Sequence, residues 1–317
     1  MNTPSNAIPE ASFESRAVAP ATLSPTRPFL WAVRRELWEN RSIYLAPLIV
    51  GGLTVFGFLV GLHHTAVRTR AAMAQGPMQL QEAIEKPYDF AALLLMATTF
   101  LVSIFYCLDA LYGERRDRSI LFWKSMPVSD RTTVLSKAAI PIVVIPLVTF
   151  AVTVATQTLM LLLNSLVLAG SGIGTGVLTS HLNLFHMQGM LLYHLVAIHG
   201  VLYAPIYAWL LLVSAWAKRL PLLWAALPPL VIGFAEKIAF NTTHFANMLG
   251  NFLGGGSPHE AMQSGASSAD VRSMSIDAMT QPMPSQFLGN SYLWIGLIVA
   301  VFLLAAAVRV RRSRGPI

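Results

Sequence analysis

YDFAALLLMATTFLVSIFYCLDAL, residues Tyr88–Leu111, decides the fold, because no lysine or arginine interrupts it. A run of about 20 apolar residues crosses the hydrocarbon core of a bilayer as a helix. Hydrocarbon offers backbone amides no partner outside their own helix, so such spans are helical. Similar runs occupy Ser42–Leu62, Ala138–Ala169, Met187–Trp216, Pro221–Phe240 and Tyr292–Val308. The sequence therefore predicts an all-α integral membrane protein with six transmembrane helices. The third and fourth runs exceed one crossing and must tilt or project into water. Pro141, Pro146 and Pro205 are candidate kinks in them.

Composition agrees. Of 317 residues, 55% are hydrophobic and 12% are charged, against about 25% charged in soluble domains. The mean hydropathy is +0.57. A net charge of +7 could suit nucleic acid, but the basic residues cluster beside apolar runs. That is the pattern of membrane topology and anionic headgroups, so no nucleic-acid partner is expected and membrane lipid is. With the N-terminus inside, 17 of the 22 lysines and arginines fall on inner segments and four on outer ones, while Lys237 lies within the fifth run. The bias predicts that both termini are cytoplasmic. The expected organisation is a disordered tail (1–26), an amphipathic helix (27–41), a six-helix domain (42–309) and a basic tail (310–317). Two loops of the domain stand out, a cytoplasmic one at 113–137 and an extracytoplasmic one at 241–291. The latter carries an apolar piece, Phe245–Leu253, that could be re-entrant. Cys107 reads as a small buried hydrophobe.

Directly after Tyr88–Leu111 comes a charged island, Tyr112 to Arg131, with a bulky apolar centre from Ile120 to Trp123. A solvated loop needs no such centre. A short helix here would set Ile120, Trp123 and Lys124 on one exposed face. Pro127 would end it, and Ser129 or Asp130 would cap the next helix. Two readings stay open: a docking segment for another protein, or a loop whose aromatic residues anchor in headgroups.

The run Glu114-Arg115-Arg116-Asp117-Arg118-Ser119-Ile120-Leu121-Phe122-Trp123-Lys124-Ser125-Met126-Pro127-Val128-Ser129, with Lys137 beyond it, resembles the cytoplasmic loop of ABC-2 type exporter permeases. Many members carry glycine before the small residue, whereas Arg118 precedes Ser119 here. The resemblance implies a coupling helix that docks into an ATP-binding subunit, with Glu114, Arg118, Ile120, Leu121, Phe122, Trp123, Lys124 and Pro127 as its residues. Residues Pro28–Arg41 look like the elbow helix of that family, lying along the inner leaflet, with Trp31, Arg34, Leu37, Trp38 and Arg41 as its marks. On a helical wheel Arg35, Glu36 and Glu39 lie opposite the apolar face. The resemblance implies the permease subunit of an ATP-driven exporter in the bacterial cytoplasmic (inner) membrane. Two ATPase copies and a second permease, either another copy of this chain in a homodimer or a related permease, would be its partners. No phosphate-binding loop occurs, so ATP and Mg would be bound by the partner ATPase, and this chain needs no cofactor and is no enzyme. A non-ABC integral membrane enzyme or assembly factor, with the island as its partner site, is the alternative.

Glu236 and Lys237 are candidates for a translocation path or for a water-facing outer pair. Thr153 and Gln157, with Thr149 and Thr156, share one side of the third run and would either line a path or bond between helices. Asp109 is expected to pair with Arg34 or Arg41. His194 and His199 are five apart, a poor spacing for one face of an α-helix. No metal signature occurs.

Overall fold

The computed structural model describes residues 26–125, 128–174, 176–253 and 291–314. The tail up to Pro25, Pro127, most of the 241–291 loop and the last three residues lie outside the described residues. Among those described, the chain is almost entirely helical, with no strand. By length and composition, five helical stretches can cross a membrane, and a sixth is formed by two helices bent at 47°.

α1 (Thr26–Glu39) precedes α2 (Ser42–Gly61), which runs through a 3-10 turn into α3 (Thr65–Gln75). α4 (Pro77–Ala110) then returns over 34 residues, about 51 Å at 1.5 Å per residue. That exceeds the roughly 30 Å hydrocarbon core by several turns. The segment His63–Pro87 is therefore a helical hairpin rather than an open loop, and Ala72, Leu80 and Ile84 pack inside it. Its sharp corner is Gly76, whose φ of 128° suits glycine alone. Arg70 ties the hairpin to the bundle through the Ser171 carbonyl, 2.6 Å away.

The island forms two short helices, α5 (Tyr112–Arg116) and α6 (Ser119–Ser125). α7 (Asp130–Ala139) comes next, capped by the Ser129 hydroxyl, which accepts from the Thr132 amide as the sequence predicts. A π turn, Ile140–Val144, joins α7 to α8 (Ile145–Gly170). Pro141 lies in that turn. It lacks an amide proton and its ring crowds the preceding turn, and the wider i→i+5 loop absorbs both defects. α9 (Gly176–His181) and α10 (Leu184–His194) lead to a second π turn, Leu195–Leu202, and the bend falls just before α11 (Ala204–Trp216). Pro205 is at this bend, as expected. Gly200 lets the two π turns touch, because a Cβ there would come 3.0 Å from the Ile142 carbonyl. α12 (Pro221–Phe240), α13 (His244–Leu253) and α14 (Ser291–Ser313) complete the chain.

In lipid, apolar burial gives helices little reason to associate, so small residues and polar bonds decide their packing. α2 and α4 pack on α8 in this way. Thr99 and Thr149 bond at 2.7 Å, and Gln157 donates to the Tyr88 carbonyl at 3.3 Å. Thr153 bonds back to the Thr149 carbonyl of its own helix. These bonds run within and between helices, the second of the two alternatives for this polar row. α2 meets α8 at Gly51, where a Cβ would come 2.8 Å from Thr156 Oγ1. Gly51→Leu is expected to force the two helices apart at about 1–3 kcal/mol, read as a lower unfolding free energy in bilayers. No change would contradict the close approach.

Candidate partner-docking site

The island does not stand clear of the bundle. Its first half is stitched to the end of α11. The Ser214 hydroxyl accepts from the amides of Leu111 (3.0 Å) and Tyr112 (2.8 Å), supplying an N-terminal cap to α5 from another helix. The Arg115 guanidinium donates to the carbonyls of Ala215 and Ala217, which close α11 and have no helical partner.

Behind α5 lies a buried ionic hub. Glu36 of α1, Glu114 of α5, Lys137 of α7 and Arg311 of α14 are each at most 6% exposed. Lys137 Nζ sits 2.7 Å from Glu36 Oε1 and 3.2 Å from Glu114 Oε1. Arg311 reaches Glu114 Oε2 at 2.5 Å and Asp130 Oδ1 at 3.1 Å. The Tyr106 hydroxyl donates to Glu36 Oε2 at 2.8 Å. Arg35, 4.0 Å from Glu114, brings the set to three carboxylates and three cations. Such neutrality is what makes burial of charge tolerable. The hub thus fastens four elements to the segment that carries α6.

Arg118 separates α5 from α6 with a φ of 58°. This left-handed residue sets the phase of α6 afresh. Ile120 and Trp123 turn toward the protein, contrary to expectation, while Lys124 stays exposed at the edge. Ile120 is fully buried. Arg35 stacks on the Trp123 ring at 3.3 Å, and Lys124 donates to the Arg314 carbonyl at 3.0 Å. The outward face is Leu121 and Phe122, 57% and 61% exposed, with Phe122 edge-on to Trp123 at 5.0 Å. Glu114, expected among the docking residues, belongs to the hub. An L-residue in the left-handed region costs about 1–2 kcal/mol. Arg118→Gly is therefore expected to raise thermal stability in detergent by about 1 kcal/mol, and a lower melting point would contradict the turn.

No family model, curated protein or solved structure matches this chain. What the site does must be argued from its own chemistry.

α1 packs on α7 through its polar face, and Glu36, expected to face away, is buried there. Val33 and Leu37 reach the core, whereas Trp31 and Trp38 are exposed with the Arg34 guanidinium 5.8 and 5.1 Å from their rings. Exposed tryptophans flanking an arginine suit a membrane–water boundary. Arg41 is exposed at the start of α2. Asp109 pairs with Arg116, 3.7 Å away, and not with Arg34 or Arg41. Sequence reasoning missed Glu36, Lys137 and Arg311 as a set because they lie in three separate elements. The signal available was an acid on the helix before the first run that its neighbouring arginines do not require, since Glu39 already pairs with Arg35, and a lysine at the foot of an apolar run.

Glu236 has a structural task. Its carboxylate accepts from the Thr242 hydroxyl (2.8 Å) and from the amides of His244 (2.7 Å) and Phe245 (2.8 Å), capping α13. Phe245–Leu253, the candidate re-entrant piece, is part of this helix, which turns back onto α12. Lys237 points outward, exposed. Neither arrangement supports a place in a path. His194 and His199 are buried, and the π turn, which closes over five residues, brings this spacing onto one side. Among the described residues, no cluster of three or more His, Cys, Asp or Glu is placed to hold a metal ion.

Proposed function

We propose that this chain is the permease subunit of an ATP-driven ABC exporter, with Leu121 and Phe122 as the knob that enters the ATP-binding subunit. The observation that carries this reading is an exposed apolar pair mounted on a fully braced helix. A loop that only anchored in headgroups would need no ionic hub behind it. Force applied at α6 reaches α1, α7, α11 and α14 through Arg35, Glu114, Arg115 and Lys124. The left-handed Arg118 adds support, since it occupies the position where related loops commonly carry glycine.

In this reading the hub end is cytoplasmic, α1 is the elbow helix on the inner leaflet, and two ATPase copies bind a pair of permeases in a bacterial inner membrane. ATP and Mg reside in the partner. Closure of the ATPase dimer pushes α6, and the helices behind it switch access of an unidentified cargo. The alternative, an integral membrane enzyme or assembly factor, predicts no ATPase at this loop. Affinity purification of the full chain from its native membrane tests the assignment. Recovery of an ABC ATPase that is lost on replacing Leu121 and Phe122 with Ala supports it. Recovery that is unaffected by the replacement refutes the docking role.

A further inference from the structure

A lateral cavity of about 620 Å³ opens between α2, α4 and α8, at the end of the bundle opposite the ionic hub. That volume is in the range of small-molecule sites. Its walls are apolar, with Leu53 and Phe58 from α2, Phe90 and Leu94 from α4, and Met160 from α8. From Val50 at its deep end to Gly61 the α2 wall, apolar but for Thr54, rises about 16 Å over twelve residues. That is roughly one leaflet of a hydrocarbon core about 30 Å thick. Gly57 and Gly61 line it, and a Cβ at either would meet nothing within 4 Å, so the space beside them is open.

The mouth is polar. Arg68 of α3 lies two turns beyond Gly61 and has no hydrogen-bond or ion-pair partner among the described residues. A second cavity of about 710 Å³ adjoins it, shared at Arg68 and Phe90, with Lys86 and Glu82 paired at 3.3 Å on its rim. Between mouth and tail sits Asn164. It is 5% exposed and lines the cavity, its Nδ2 donates to the Tyr88 hydroxyl at 3.4 Å, and its Oδ1 has no partner. An unsatisfied buried acceptor is destabilising, so a ligand that donates a hydrogen bond there gains by binding.

We propose that this cavity binds a single-chain anionic amphiphile of the lysophospholipid class. The chain fills the apolar groove, a glycerol hydroxyl donates to Asn164, and the phosphate meets Arg68. The site depends on no feature of the ionic hub and stands or falls apart from the exporter reading.

The test uses the purified full chain in a neutral maltoside, with binding read by native mass spectrometry. Lysophosphatidylglycerol is expected to bind one per chain. It should bind about fivefold more tightly than lysophosphatidylcholine, a basic residue at a membrane surface contributing about that factor. Glycerol phosphate, which has no chain, is expected not to bind. Arg68→Gln should erase the preference for the anionic head. Gly57→Phe fills open space without a clash and should abolish binding of both lipids. A lysophosphatidylglycerol with a photoreactive chain should label Val50–Gly61 and Phe90–Leu94 of the unaltered protein, a readout that needs no variant to fold. Equal binding of the two headgroups, retention by Gly57→Phe, or labelling confined to other helices would overturn the proposal.

Discussion

Lys137→Met is expected to destabilise the protein by about 3–5 kcal/mol, the largest effect of any single change at the hub. Methionine keeps most of the side chain's length and removes its charge. Glu36 and Glu114 then face each other across a site closed to water, and Glu36 loses its only ion-pair partner among the described residues. Glu114 keeps Arg311 and, at longer range, Arg35. The cost is therefore that of an uncompensated buried carboxylate. Adding Glu36→Gln should recover a good part of it, because the orphaned charge is gone and the amide still accepts from Tyr106. Unfolding free energies of the single and double variants, measured by steric trapping in bicelles, check this. A single variant as stable as the parent, or a double variant worse than the sum of its parts, would contradict a hub held by charge pairing.

The apolar runs are legible because hydrocarbon imposes one rule on every residue within it. Tyr88–Leu111 has to be helical, and it is. The rule ends where water begins, and there the sequence says less. His63–Pro87 looks polar and mixed, yet its leucine, isoleucine and alanine positions form a packed hairpin. On α6, periodicity puts Ile120, Trp123 and Lys124 on one side correctly. It cannot tell which side is outward, because Arg118 resets the phase and the contacting partners, Arg35 on Trp123 and Arg314 on the still exposed Lys124, come from the two ends of the chain. The same holds for Glu36, whose polar face turns inward because Lys137 awaits it more than 100 residues later. A pattern within one element gives a face; the sign of that face depends on charges elsewhere. His194 and His199 differ for another reason, since their spacing is poor only for an α-helix and the chain supplies a π turn.

If the chain is the exporter permease proposed above, Phe122→Ala is expected to weaken its association with the proposed ATP-binding subunit by about 2 kcal/mol, roughly 30-fold in Kd. The reasoning is geometric. α6 offers one outward apolar face, and its two large side chains are Leu121 and Phe122. Phe122 is held at its edge by Trp123, which is in turn fixed beneath Arg35. An aromatic ring immobilised before binding loses little entropy on docking, which is the character of an interface hot spot. Leu121→Ala should cost less, and the two together should uncouple ATP hydrolysis from the permease while leaving its own melting point unchanged. A substitution of equal size on a lipid-facing helix, Phe105→Ala, is the control and should leave the affinity alone. The measurement is titration of the ATPase onto the reconstituted chain, with the salt dependence recorded. An apolar knob predicts little sensitivity to ionic strength, whereas binding carried by Arg116 and Arg118 would fall steeply with added salt. Full affinity for Phe122→Ala, or a salt-dominated interaction, would place the contact on the charged rim and not on α6.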